Sequence, residues 1–93
     1  MPISLNTVVA QAAECLTADV RDEAVVMAVQ TSQYVALNTV GKDIWQRAAS
    51  PSRVEDICAS LAAEYDAPRA EIDADVLEFV QKMVDAGTLV VCG

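Results

Sequence analysis

Hydrophobic and polar positions follow two different periods along this chain. In the first third, the segments 14–20, 24–30 and 33–37 alternate or are rich in valine, as expected for half-buried strands. Arg21-Asp22-Glu23 is a charged turn between the first two, and Thr31-Ser32 is a short connection between the second and third. The pattern therefore predicts a meander of three antiparallel strands.

From Asn38 onward the apolar positions recur at helical spacing. Asn38 or Thr39 can cap a first helix that ends at Ser50-Pro51. A capping box from Ser52 to Glu55 predicts the start of a second helix. The first helix is predicted to bury Val40, Ile44, Trp45 and Ala48, and the second Val54, Ile57, Cys58, Leu61, Ala62 and Tyr65.

A third helix is predicted to begin between Pro68 and Glu71 and to end before Gly87, a residue typical of the position after a helix. Residues 88–92 then form a short strand or an extended tail. These elements predict an α+β fold, a small winged-helix-like domain in which a three-stranded antiparallel sheet is followed by three helices. Residues 1–93 make one domain, with residues 1–13 as a weakly patterned N-terminal arm in which 8–10 could form a short strand.

The last strand of this sheet, residues 33–37, is predicted to lie at an edge, where unpaired backbone groups can accept another chain as a strand. Tyr34 and Ala36 should share one face, and Val35 and Leu37 the other, which we expect to be the buried one. The third helix has a wide apolar arc that includes Leu77 and Val84. The arc is either an oversized core stripe or one wall of a groove lined by Tyr34, Ala36, Phe79 and Met83.

Charge narrows the classes of partner. Six basic and fourteen acidic residues give a net charge of −8, which suits neither phosphate backbones nor anionic membrane surfaces. Three strands and three helices also describe a DNA-binding winged helix, but both later helices are mostly acidic where a recognition helix needs Arg, Lys, Asn or Gln. We therefore expect no nucleic-acid and no membrane partner.

Catalytic and metal-binding patterns are missing. The chain has no His, only three Gly, and three widely spaced cysteines, Cys15, Cys58 and Cys92. This composition predicts no catalytic residue, no metal site, no cofactor and no disulfide framework. An acyl carrier is also disfavoured, because the Ser60-Leu61 pair lies in mid-helix without a preceding Asp. Residues 1–13 lack the basic start of a secretory signal, so a cytoplasmic location is expected.

A run with the form Tyr-x-x-Leu-Asn-x-x-Gly-x-x-Ile-Trp occupies residues 34–45, preceded by Val25-Val26-Met27. This run resembles the PqqD-like family of leader-peptide recognition elements, and the likeness extends over residues 14–90. It looks nearest to the stand-alone members of lasso-peptide pathways, which hand the leader to a separate protease. One departure is the hairpin, where Thr31-Ser32-Gln33 stands in place of the frequent Gly.

The resemblance implies a function. In the family, the leader of a precursor peptide adds as a strand to the edge strand and packs beside the last helix. On this chain the implied peptide-binding residues are Gln33, Tyr34, Val35, Ala36, Leu37, Val76, Phe79, Val80 and Met83.

The partners implied are the precursor (leader) peptide and a modifying enzyme such as a leader peptidase or cyclase, with the chain acting as a monomer or weak dimer. Two alternatives remain open at this stage. One is a PqqD-type peptide chaperone for a radical-SAM enzyme, and the other is a non-catalytic interaction domain of an unrelated pathway.

Overall fold

A computed structural model describes residues 3–92. The described chain forms two three-stranded sheets and three helices. The elements are β1 (Val8–Gln11), β2 (Cys15–Val20), β3 (Glu23–Ala28), β4 (Gln33–Leu37), α1 (Thr39–Arg47), β5 (Ser52–Arg53), α2 (Val54–Glu64), α3 (Arg69–Ala86) and β6 (Leu89–Cys92). The sheet orders are β2-β3-β4 and β5-β1-β6.

The predicted antiparallel meander is confirmed as the sheet β2-β3-β4. Its second connection is longer than predicted, because Ala28 pairs with Gln33 and the turn spans residues 29–32. Ser32 takes a left-handed conformation there, with φ of 57°. The Thr31 hydroxyl donates to the Ala86 carbonyl at 2.9 Å, which ties this turn to the end of α3.

The second sheet joins segments that are far apart in the sequence, and its pairing was not predicted. β1, in the arm, lies between β5 and β6 and pairs with both in antiparallel register. The short strands expected at residues 8–10 and 88–92 therefore exist, and they hold the two ends of the described chain together. A strand of this length has too little periodicity to reveal its partner.

The capping box predicted from Ser52 to Glu55 is wrong. The Ser52 hydroxyl donates to the Arg47 and Ser50 carbonyls instead, and α2 begins at Val54 with no side-chain cap. Backbone groups from the arm take over this role. The amides of Val54 and Glu55 each donate at 2.9 Å to the carbonyls of Thr7 and Leu5 respectively, so free N–H groups at the helix start are satisfied.

A single hydrophobic core lies between the inner face of β2-β3-β4 and the three helices. Ile44 and Trp45 are buried as predicted, whereas Val40 is 38% exposed and Gly41 takes the buried position instead. The prediction of a half-buried β2 is also wrong, because its residues are exposed apart from the partly buried Cys15. Across residues 3–92, no helix is long and apolar enough to cross a membrane.

Candidate functional site: the β4 edge and the groove beside α3

The hydrogen bonds of the sheet determine which backbone groups of β4 are free. The Val29 amide donates to the Glu14 carbonyl at 3.0 Å, so the backbone N–H and C=O of Val29 point toward β2. The backbone groups of successive residues in an extended chain point to opposite sides, and those of Ala28 must therefore point toward β4. Its carbonyl accepts from Ser32 in the connecting turn, which agrees with that direction.

The register between β3 and β4 then gives the direction of the backbone groups in β4. The backbone groups of Ala28, Val26 and Ala24 point toward β4, where these residues pair with Gln33, Val35 and Leu37 respectively. The intervening residues, Tyr34 and Ala36, then direct their amides and carbonyls to the open side of the sheet. Among the described residues no backbone or side-chain partner meets those groups. β4 thus presents two donors and two acceptors to an added strand.

The side chains of β4 divide as predicted. Val35 and Leu37 belong to the core, whereas Tyr34 is 72% exposed and Ala36 is exposed on the opposite face. An incoming strand would continue this alternation, placing every second side chain on the α3 side of the sheet.

Helix α3 runs antiparallel to β4 and forms the second wall of a groove. Its C-terminal end is held near the start of β4 by the Thr31–Ala86 hydrogen bond. Its middle lies near α1, because a Cβ built on Gly41 would come within 2.7 Å of Phe79 Cζ. The groove between α3 and β4 measures about 450 Å³ and is lined by Gln33, Tyr34, Val35, Glu78, Gln81, Lys82, Asp85 and Ala86.

A second concavity of about 510 Å³ lies at the other end of β4. Phe79 and Lys82 form its helical wall, and residues 36–38 form its strand wall. It extends to Val20 and Val25, on the face of the sheet opposite to the helices. Lys82 lines both concavities, so the two are adjacent along β4.

The sequence-predicted site residues divide into two groups. Gln33, Tyr34, Ala36 and the half-buried Phe79 are accessible, and the structure brings them together along β4. The direct peptide contacts implied for Val76, Val80 and Met83 do not fit the structure, because each residue is at most 2% exposed and lies in the core. They support the groove from behind, as do Val35 and Leu37.

The sequence reasoning missed the charged members of the groove, Glu78, Lys82 and Asp85. Their signal was present in the helical spacing: residues 78, 82 and 85 lie on one stripe that borders Phe79. The stripe is charged, so the apolar periodicity of α3 does not reveal it.

The wide apolar arc of α3 does not form the groove. Leu77 and Val84 are half-buried and pack against the core. The Ile3 amide donates to Gln81 Oε1 at 3.1 Å, and Gln81 shares a helical stripe with Leu77 and Val84. The N-terminal arm therefore lies along this side of α3.

Burial lowers the reactivity of two thiols, Cys15 and Cys58. Burial raises the pKa of the Cys58 thiol to about 11, with a hydrogen bond to Asp73 as a further cause, and burial also raises the pKa of Cys15. Both thiols are therefore protonated near neutral pH and are poor nucleophiles. No cluster of three or more His, Cys, Asp or Glu side chains between residues 3 and 92 could hold a metal ion.

By its fold and site, this chain is a small winged-helix-like domain with an open sheet edge beside its last helix. The family model of PqqD, described as coenzyme PQQ synthesis protein D, matches residues 23–89. Because this match spans most of the chain, the chain belongs to the PqqD family. No curated protein sequence matches it closely enough to add to this assignment.

Two solved structures are similar to the chain. TbiB1, in complex with the TbiA(beta) leader peptide, has a TM-score of 0.77 and 28% identity, over 86% of this chain and 93% of TbiB1. A lasso peptide synthetase B1, complexed with the leader peptide, has a TM-score of 0.74 and 21% identity, over 88% of this chain and 96% of the other. The second likeness concerns the fold alone.

Proposed function

We propose that this chain binds the leader segment of a ribosomally made precursor peptide by strand addition to β4, and presents it to a modifying enzyme or leader peptidase in lasso-peptide biosynthesis. The observation that carries the proposal is the open edge at Tyr34 and Ala36, which lies directly beside the groove of α3. Membership of the PqqD family and the likeness to TbiB1, a protein solved with a leader peptide, support it.

Backbone bonding and side-chain contacts have separate roles in this proposal. The bonds to Tyr34 and Ala36 are independent of peptide sequence, so they supply affinity. Selectivity comes from the side chains directed at α3. An apolar side chain suits the end near Phe79, and polar or charged side chains suit the stretch along Glu78, Lys82 and Asp85.

The expected affinity follows from the cost of ordering the peptide. An extended leader loses conformational freedom on binding, which offsets part of the gain from its contacts. We expect a dissociation constant on the order of nanomolar to micromolar, equivalent to about −12 to −8 kcal/mol.

We also propose that the chain itself performs no chemistry and acts in the cytoplasm. The sequence has no His, and the raised pKa values of Cys15 and Cys58 disfavour a thiolate nucleophile. Purified chain incubated with the precursor should leave the mass of that peptide unchanged. Cleavage or cyclisation without an added enzyme would contradict this part of the proposal.

Proline substitutions test the strand-addition mode. Ala36→Pro removes an amide that faces the open side, so the fold should be retained while a bond to the leader is lost. Thr17→Pro is the matched control, because Thr17 occupies the corresponding outward position on β2, the opposite edge of the same sheet. The measurement is fluorescence polarisation of labelled peptides that cover the leader of the associated precursor.

We expect Ala36→Pro to weaken binding at least about tenfold, equivalent to about 1.4 kcal/mol, and Thr17→Pro to leave it unchanged. Thermal melting of both variants confirms that they are folded. Unchanged binding by a folded Ala36→Pro variant would exclude strand addition at β4, and equal losses in both variants would show that the β4 edge has no special role.

A further inference from the structure

The sheet β2-β3-β4 has an apolar face on the side away from the helices. The register and the alternation of side chains place the outward residues of its three strands together on this surface, which we call the outer face. Its principal members are Leu16, Val20, Val25, Met27, Tyr34 and Ala36.

This face is exposed as well as apolar. Leu16 is 61% exposed, Val20 60% and Val25 37%. Within residues 3–92 no helix or strand covers them, since all three helices pack on the inner face. Isolated exposed apolar side chains are ordinary, but a contiguous set across three strands marks an interaction surface.

The outer face is continuous with the proposed leader site. The concavity that begins at Phe79 and Lys82 passes the end of β4 and reaches Val20 and Val25. A leader strand added to β4 would also place every second side chain on the outer face, widening it by one strand. A partner docked there would therefore contact the chain and the bound leader together.

Charge distinguishes between possible occupants. Glu23 is the charged side chain among the outward strand residues, and Glu14 and Asp22 border the face. The bases beside it are Arg21 and Lys82, and Lys42 is paired with Asp19. A second copy would bring the same acidic border and a net charge of −8. Anionic lipids and nucleic acids are disfavoured on the same ground. A complementary partner has an apolar contact surface bordered by Lys and Arg.

We propose that the outer face is the docking surface for the enzyme that processes the leader-bound precursor, and that this enzyme contacts it through an apolar surface with a basic border. This inference rests on the proposed function of β4. It adds a second surface, so that leader binding and enzyme docking occur on two faces of one sheet and can be separated by mutation.

The test is Leu16→Lys, on the β2 side of the outer face, opposite Met27 and outside both concavities beside β4. Val90→Lys is the matched control, because Val90 is also an exposed apolar strand residue, at 44%, on the other sheet. For each variant we would measure leader affinity by fluorescence polarisation. Precursor processing is then followed by mass spectrometry in cells that also express the precursor and the processing enzymes of its pathway.

We expect Leu16→Lys to bind the labelled leader within twofold of wild type and to lower processing at least tenfold, with Val90→Lys unchanged in both. If Leu16→Lys disturbs folding, Ala18→Lys, at an exposed position on the same face of β2, provides the same test away from the leader site. Normal processing by a variant that binds the leader overturns the inference and leaves the proposed function intact.

Two further outcomes are decisive. Analytical ultracentrifugation at increasing concentrations would reveal a dimer if a second copy covered this face, and disruption of that dimer by Leu16→Lys would overturn the inference. Failure of wild type to bind the leader would instead overturn the proposed function.

Discussion

Asn38 connects the edge strand to the helix packed behind it. It follows β4 directly, and its side-chain oxygen accepts from the Gly41 amide at 2.8 Å, as an N-cap does. Asn at this position stops the strand and starts the helix in one residue, which fixes where β4 ends relative to α1. The two predicted features, the strand end and the helix cap, are both confirmed.

Trp45 gives a prediction at the scale of one residue. Trp45 is 6% exposed, and its backbone carbonyl accepts from the Gln11 side chain at 2.8 Å. Trp45→Ala should lower the free energy of unfolding by about 3–5 kcal/mol, because it removes a large buried group and leaves a cavity. Denaturant unfolding measures the loss. Trp45→Phe, which keeps a buried ring, should lose clearly less, and a wild-type midpoint for Trp45→Ala would contradict burial of the ring.

At the scale of elements, the packing of α1 against α3 sets the shape of the groove. Gly41 allows this approach, because any side chain there would meet the Phe79 ring at 2.7 Å and the Asn38 side chain at 3.2 Å. The ring therefore rests over α1 and forms the apolar end of the proposed leader site.

Gly41→Ala should displace the Phe79 ring. We expect a loss of about 1–3 kcal/mol in stability from overpacking, partly offset by the better helix propensity of Ala, and a severalfold weaker leader affinity. Denaturant unfolding and fluorescence polarisation measure the two effects. In a Phe79→Leu background the clashing ring atoms are absent, so Gly41→Ala should then cost little. An equal loss of stability in both backgrounds would show that the ring contact is not the cause.

At the scale of the whole molecule, net charge separates this domain from DNA-binding proteins of similar architecture. Several of its basic side chains are already paired with acids, as Arg47 is with Asp43 and Glu64 and Arg69 is with Asp73. Little counterion release remains to drive binding to a duplex.

We therefore expect no gel shift of mixed DNA duplexes at physiological salt, even at micromolar chain. The labelled leader peptide, measured in the same buffer, is the positive control for active protein. A sub-micromolar shift that weakens steeply with added salt would contradict the charge argument.

Short-range signals in the sequence predicted where several strands and helices begin and end. Residues 33–37 are β4 as predicted, Asn38 caps α1, and Gly87 ends α3 with φ of 85°. These features depend on a residue and its near neighbours in the chain, through side-chain caps, alternation and backbone freedom. The capping box failed because a more distant segment, the arm, supplied the hydrogen bonds to α2.

The sequence by itself determined the meander, the three helices, the buried side of β4 and the acidic surface, because each follows from short-range periodicity or from composition. Only the tertiary structure decided which residues remain accessible. Val76, Val80 and Met83 share the apolar pattern of Phe79, but three-dimensional packing buries them and leaves the Phe79 ring half-exposed beside Gly41. The pairing of β1 with β6 and the apolar outer face likewise depend on contacts between segments distant in sequence, which no local pattern encodes.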